Sequence, residues 1–413
     1  MKAVVFTLGC KVNECESDSL ISGLANMGYE VSDKLEKADL YIVNTCAVTA
    51  EAEKKSRQMA SRIRKLSSDA KIIFTGCAVQ KDATQFENKS KDFLLTGVFN
   101  KNDILSMLSE SGNHVAPPCD KFEELLLTKS LRTRAYVKVQ DGCNNFCSYC
   151  IIPYLRGRTR SRNPESVYQE IKSVNAKEVV INGINLSAYD YNGIKLAPLI
   201  RSLKDLPCRI RLGSLEVNVI DRELLTALKE LKDFAPHFHL SLQSGSNSVL
   251  KAMNRHYTAD EYLEKVNLIR EYFADAGITT DIIVGFPTET EENFFETAEF
   301  VKRVNFSDIH PFPFSPRSGT VASKMKDLSG EVKKQRLDKL LLIKKECKEN
   351  FANSLKGKTL NFLCEEFKDG YYQGYTENYL RVYVAEKVEV GKITKVIIDN
   401  PYLDGAIAKI KGE

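Results

Sequence analysis

Cys143, Cys147 and Cys150 stand in a C-x-x-x-C-x-x-C spacing within AYVKVQDGCNNFCSYCIIPYLRGRTRSR (135–162). A short alternating stretch, 136–140, reads as a strand leading into this Gly- and Asn-containing loop. Three thiolates on one loop can hold three irons of a [4Fe-4S] cluster and leave the fourth without a protein ligand. Electron-transfer clusters normally have four Cys ligands, so a missing fourth one points to an iron that binds something else. Structural zinc would need a fourth ligand, usually from a nearby paired motif. The stretch holds no His, and the nearest downstream Cys is Cys208.

A second trio lies nearer the start. FTLGC, IVNTC and IFTGC place Cys10, Cys46 and Cys77 at the ends of three apolar runs. In open parallel sheets, ligands bind beyond the carboxyl ends of the strands, so these thiols could converge on a second three-thiolate site. They could equally be small buried core residues. Cys15 reads as a bystander, and Cys119, Cys208, Cys347 and Cys364 have no partners at ligand spacing.

The elements that must position these residues follow from periodicity. Strands are expected at 3–7, 40–44, 71–75 and 93–98, with helices over 17–27 and 49–66 and another starting at 103–108. Strands alternating with helices imply a parallel α/β domain over 1–110. A linker is expected over 111–132, which carries adjacent prolines. The βα rhythm then resumes, with strands at 137–140, 178–182, 209–213, 238–242, 279–284 and 309–314. Helices are clearest at 164–174, 221–231, 259–274 and 291–304. Six such units are too few for a closed eight-fold barrel and fit an open, partial one.

The loops after these strands are polar, and Gly183, Gly213, Gly245 and Gly285 there would permit close approach to a ligand. A solvated amphipathic helix is expected from 330 to about 358, with Leu337, Leu340, Leu341 and Ile343 as its apolar side. Beyond it, β-type alternation and five tyrosines suggest a small barrel. The alternating Arg156, Arg158, Arg160 and Arg162 read as a basic edge for phosphates, and His237 and His239 as structural.

The chain has 413 residues, enough for two or three domains, and 43% are hydrophobic, as in ordinary globular proteins. Its opening apolar run is too short for a signal peptide, and no apolar stretch reaches the ~18 residues of a membrane span. Eleven cysteines, an odd number, suit a reducing compartment, so a cytoplasmic location without a membrane partner is expected. A net charge of +4 permits a nucleic-acid partner without requiring one.

Taken together, these residues resemble the methylthiotransferase family of radical S-adenosylmethionine enzymes, over essentially the whole chain. The cysteine loop, with Tyr149 just before its last Cys, is similar to the superfamily signature. The resemblance implies an N-terminal parallel α/β sandwich domain (1–110), a radical barrel of partial (βα)6 type (133–354) and a C-terminal RNA-binding TRAM-type β-barrel (355–413). It implies two [4Fe-4S] clusters, one on Cys143, Cys147 and Cys150 and an auxiliary one on Cys10, Cys46 and Cys77. S-adenosylmethionine is then both methyl donor and radical source. Asn185 and Ser187 are candidates near its methionine end, Ser214 and Glu216 near a ribose, and Gln243 and Ser244 along the same mouth.

TLGCKVNECES (7–17), NGINLSAY (182–189) and SLQSGSNSVL (241–250) look like the branch that modifies carbon 2 of N6-threonylcarbamoyladenosine in tRNA. That branch implies a tRNA substrate, an external electron donor such as flavodoxin or ferredoxin, and a monomer. The alternatives are isopentenyladenosine tRNA or a ribosomal-protein aspartate as substrate. From a different class, a non-catalytic iron–sulfur carrier or RNA-binding protein would show reversible redox cycling and no cofactor cleavage.

Overall fold

Short, nearly continuous apolar runs build the first sheet. The elements in chain order are β1 (Lys2–Thr7), α1 (Lys11–Asn26), β2 (Glu30–Ser32), β3 (Leu40–Thr45), α2 (Ala50–Leu66), β4 (Lys71–Gly76), α3 (Cys77–Lys81), β5 (Phe93–Leu95) and β6 (Gly112–Asn113). The strands pair in the order β2-β1-β3-β4-β5-β6, each neighbouring pair parallel. Ala3, Val5, Leu40, Ile42 and Ile73 face Leu20, Ile21 and Leu24 of α1. Val4, Tyr41, Val43, Ile72 and Phe74 face Met59, Ala60 and Ile63 of α2 on the other side. A parallel sheet covered on both faces is the expected consequence of βα connections.

The computed structural model describes residues 1–87, 92–127 and 132–412, in two units. The first contains Met1–Asn175, Ile181–Lys195 and Ser315–Lys324, and the second Ala176–Val180, Leu196–Phe314 and Met325–Glu413. The expected linker contributes β6 to the sheet, and its residues 128–131 lie outside the described residues.

Two expectations need correction in this unit. Helix α1 begins at Lys11, six residues earlier than expected, because its first turns bury polar side chains that carry no apolar period: Asn13, Glu16, Ser17 and Asp18. The expected helix at 103–108 is a run of turns, tightened by i→i+3 bonds such as Ser106 N–H to Asp103 O (3.0 Å).

The first unit continues with β7 (Arg134–Asp141), α4 (Ile152–Leu155), β8 (Arg160–Ser161) and α5 (Pro164–Val174). Asn163 caps α5 by accepting from Glu165 N–H. Strand β9 (Glu178–Gly183) is followed by the hairpin β10 (Asp190–Tyr191) and β11 (Ile194–Lys195).

In the second unit come α6 (Leu196–Ser202), β12 (Arg209–Leu212), α7 (Arg222–Lys229), β13 (His237–His239), α8 (Asn247–Ala252), α9 (Ala259–Tyr272), β14 (Gly277–Val284), α10 (Glu291–Val304) and β15 (Asp308–Pro313). Strands β13, β14 and β15 form a parallel sheet. Capping boxes at Thr258/Glu261 and Thr290/Asn293 fix where α9 and α10 begin. All six expected βα strands are therefore present.

Helix α11 (Gly330–Ser354) buries Lys333, Arg336, Leu340, Ile343 and Cys347 at alternating three- and four-residue spacing, whereas Leu341 is exposed. It is an anchored helix and not a solvated connector. Lys333 donates to Phe314 O (3.1 Å), and Arg336 pairs with Glu289.

The tail forms β16 (Thr359–Lys368), β17 (Tyr371–Thr376), β18 (Arg381–Val384), β19 (Ile393–Tyr402) and β20 (Gly405–Ile410). These close into a barrel, in the order β16-β17-β18-β20-β19, around Phe362, Val382, Val384, Val396 and Ile398. The fold is thus α/β, ending in a small closed β-barrel. No helix among the described residues is long and apolar enough to cross a membrane.

Candidate active site

Strands β1, β3 and β4 are neighbours, and their carboxyl ends deliver the first trio to one edge. Cys10 caps α1, Cys46 directly follows β3, and Cys77 opens α3. Gly9 sits at φ +105°, and a Cβ there would lie 2.6 Å from Cys46 Sγ, so only glycine lets these two turns meet. Ser56 Oγ accepts from Cys46 N–H (3.2 Å), and Val48 N–H points at Cys46 Sγ (3.4 Å). Burial pushes the Cys46 thiol up to about 12, reinforced by Cys77 and Cys10, while Arg156 opposes the rise. Burial likewise raises Cys10, with Arg156 opposing.

The second trio follows β7. Gly142, at φ +71°, passes so close to Arg158 O that any Cβ would overlap it. Cys143 N–H donates to Gly157 O (3.1 Å), Cys150 N–H to Cys147 O (2.9 Å), and Ala322 N–H to Ser148 O (2.7 Å). Asn185 Nδ2 approaches Cys143 Sγ at 3.8 Å, and Asn185 N–H donates to Gln140 Oε1 (2.7 Å). Gln140 Nε2 in turn holds the Asp141 and Gly142 carbonyls.

Both trios belong to the first unit, and a fully buried ionic network joins their loops. Arg156 Nη1 reaches Glu16 (2.9 Å) and Asp141 (3.1 Å). Its Nη2 reaches Asn13 Oδ1 (2.8 Å), and its Nε reaches Cys77 Sγ (3.4 Å). Glu16 also binds Lys101 and Lys138, and Lys138 binds Asp141 (3.2 Å). Burial alone would raise these two carboxyls. Arg156 and the lysines outweigh it, leaving Glu16 well below its ordinary range and Asp141 at about 2. Asn13 Nδ2 ties the network to the strand ends through Leu8 O and Thr45 O.

This overturns the basic-edge reading. Arg156, Arg160 and Arg162 are buried, and each has a carboxylate partner, Glu170 in the case of Arg162. Only Arg158 is exposed, lying over the Phe146 ring. The loop glycines also serve the protein's own packing: Gly183 against Gln140, Gly245 against Thr297 of α10, and Gly285 against Lys333. Cys15 donates to Tyr136 O (3.0 Å), while Cys208 and Cys347 are buried, with thiols raised to about 11. His237 and His239 both bond Thr279 Oγ1, as structural residues would.

Of the other candidates, Asn185 and Ser187 lie in the first unit, on the segment after β9. The other four lie in the second unit. Ser214 is half-buried after β12, and Glu216 pairs with Arg255 (2.9 Å). Gln243 stands at φ +70° with Oε1 buried and without a hydrogen-bond partner. Ser244 is fully buried, its hydroxyl against Thr297 Oγ1 (3.1 Å).

Among the described residues no three His, Cys, Asp or Glu side chains close around a point as ligands of a single ion would. A multi-iron cluster spreads its thiolates further apart. Soft thiol donors at the first trio, with a guanidinium facing one of them, suit such an anionic group.

Residues 137–301 match the radical SAM superfamily, and residues 2–97 match uncharacterized protein family UPF0004. The threonylcarbamoyladenosine tRNA methylthiotransferase MtaB of Bacillus subtilis is 35% identical, over 99% of this chain and 97% of its own. The chain belongs to the radical S-adenosylmethionine methylthiotransferase family. The Aquifex aeolicus protein of the same name is 37% identical over 96% of this chain and all of its own. The tRNA-2-methylthio-N(6)-dimethylallyladenosine synthase of Thermoanaerobacter is 36% identical over 87% of this chain and 81% of its own. Among solved structures, the radical S-adenosylmethionine methyltransferase TsrM from Kitasatospora setae shares the fold. Its TM-score is 0.56 at 15% identity, over 78% of this chain and 77% of that one. As a methylthiotransferase of this family the protein is an enzyme that uses a [4Fe-4S] cluster and S-adenosylmethionine.

Proposed function

We propose that this enzyme adds a methylthio group to carbon 2 of N6-threonylcarbamoyladenosine next to the anticodon of tRNA. The observation that carries the substrate is the near full-length match to two methylthiotransferases named for that nucleoside. The TLGCKVNECES opening supports it. Cys143, Cys147 and Cys150 hold the radical cluster, and Cys10, Cys46 and Cys77 hold a second [4Fe-4S] cluster. Together with S-adenosylmethionine, these groups supply the radical chemistry and sulfur transfer that an unactivated adenine carbon requires.

The chain's own residues bind and orient. Gln140 fixes the backbone at Gly142 and the Asn185 main chain, and the Asn185 amide stands beside Cys143. Asn185, Ser187, Ser214, Glu216, Gln243 and Ser244 contact S-adenosylmethionine, a role that the partnerless Oε1 of Gln243 supports best. The Ser244 hydroxyl already shares a hydrogen bond with Thr297 Oγ1. Domains at 1–110, 133–354 and 355–413 divide the labour among auxiliary cluster, radical chemistry and RNA contact. The enzyme is a cytoplasmic monomer served by an external donor such as flavodoxin or ferredoxin.

The test is anaerobic reconstitution followed by assay with S-adenosylmethionine, a reductant and threonylcarbamoyladenosine-bearing tRNA, with nucleosides read by mass spectrometry. A methylthio product on that nucleoside is expected. Product only on dimethylallyladenosine tRNA would favour the second reading, which the Thermoanaerobacter relative supports.

A further inference from the structure

Arg156 is fully buried, and all of its N–H groups are engaged. Nη1 serves Glu16 and Asp141, Nη2 serves Asn13 and Glu16, and Nε is aimed at Cys77 Sγ (3.4 Å). Such a guanidinium has one orientation, because turning it toward or away from the sulfur would break several charge-assisted bonds at once. Glu16 does not need it for neutralisation, since Lys101 and Lys138 already bind that carboxylate.

Charge around the site is also unbalanced. Lys101, Lys138, Arg156 and Arg160 face Glu16, Asp141 and Glu123, four cations against three carboxylates. An uncompensated buried cation is costly, and the group on the Cys77 side of Arg156 is where a negative charge would relieve it. A cluster ligated by three thiolates is such a charge. Hydrogen bonds to cluster sulfur and nearby positive charge are among the factors that set a cluster's reduction potential.

We propose that Arg156 is a positioning residue for the cluster at Cys10, Cys46 and Cys77, donating from Nε to the Cys77 sulfur and raising that cluster's reduction potential. This rests on the two-cluster reading above. The same side chain fixes Asn13 and Glu16 on α1 and Asp141 before Cys143, so one group aligns both cysteine loops.

The experiment uses the full chain carrying Cys143→Ala, Cys147→Ala and Cys150→Ala, so that any cluster left is the auxiliary one. Anaerobic reconstitution, iron analysis and an EPR-monitored redox titration are then run with Arg156 intact, with Arg156→Met and with Arg156→Lys. The expected result is a loaded cluster whose midpoint moves to a more negative potential in Arg156→Met and part-way in Arg156→Lys. Should Arg156→Met fail to fold, the Arg156-intact chain grown with guanidinium-15N arginine gives an independent reading. Pulsed EPR on its reduced cluster should show a 15N hyperfine coupling that Arg156→Lys removes. A loaded cluster with an unchanged midpoint and no 15N coupling overturns the Arg156 role alone. Absence of iron in the Arg156-intact protein overturns the auxiliary cluster, and this proposal with it.

Discussion

The two cysteine trios are assembled by opposite routes. Cys143, Cys147 and Cys150 share one loop, shaped by local bonds such as Cys150 N–H to Cys147 O and Cys143 N–H to Gly157 O. Cys10, Cys46 and Cys77 come from three strand ends and meet only because β1, β3 and β4 pair in register. A contiguous trio can form once its loop closes, whereas a dispersed one inherits its geometry from the whole sheet. Glu16, Asp141 and Arg156 then make the two interdependent.

The sharpest division is expected from single ligand losses. Cys46→Ala and Cys147→Ala should each abolish methylthio product and about halve bound iron, but only Cys147→Ala should also abolish 5′-deoxyadenosine formation, read by chromatography. If Cys46→Ala stops cofactor cleavage as well, the trios are not separable.

Glu16→Gln tests the link between them. It leaves Lys101, Lys138 and Arg156 buried without their shared carboxylate and should cost about 3–5 kcal/mol in guanidinium unfolding of the apo protein, with iron lost from both trios. Because the Glu16 carboxyl is held below its ordinary range in the folded state, its contribution is full above an unfolded value of about 4.3. It is lost as pH falls through the folded value, so the variant should flatten the acid limb of stability against pH.

Gly9→Ala and Gly142→Ala separate the trios again. Each forces a side chain into a left-handed or crowded position at a cost of about 1–3 kcal/mol. Iron analysis should show Gly9→Ala depleting the dispersed site and Gly142→Ala the loop site. The smallest effect belongs to Arg158→Ala, which removes an exposed contact over Phe146 and should change stability by no more than about 0.5–1 kcal/mol, with iron content unchanged.

Where chemistry and periodicity coincide, the sequence is readable. β1, β3, β4, α5 and α10 are nearly or fully as expected, because the strands are short unbroken apolar runs and the helices repeat apolar residues at helical spacing. The misses share a cause. The first turns of α1 bury polar side chains since Asn13 and Glu16 serve partners far along the chain, and no apolar pattern marks them. The arginines after the cysteine loop look like an exposed basic edge until the carboxylates that neutralise them are known. Arg156 alone lies 140 positions from Glu16, a separation that local pattern does not reveal. Strand β17 is hard to read because Gly374, which a Cβ would drive into Leu363 O, interrupts its alternation. Gln140 carried no signal beyond its position before the loop.

The segment Ser315–Lys324 belongs to the first unit although the chain spends residues 196–314 in the second. Its Arg317 is buried against Glu53 of α2, and Ser315 Oγ accepts from Ala50 N–H (3.4 Å). On the ribosome, the first unit therefore cannot be completed when its own sheet emerges. Among the described residues, Glu53 pairs with Arg57 and Lys81 before Arg317 arrives. At roughly 5–20 residues per second, the 264 positions from Glu53 to Arg317 take some tens of seconds, during which the nascent first unit stands without its last structural segment.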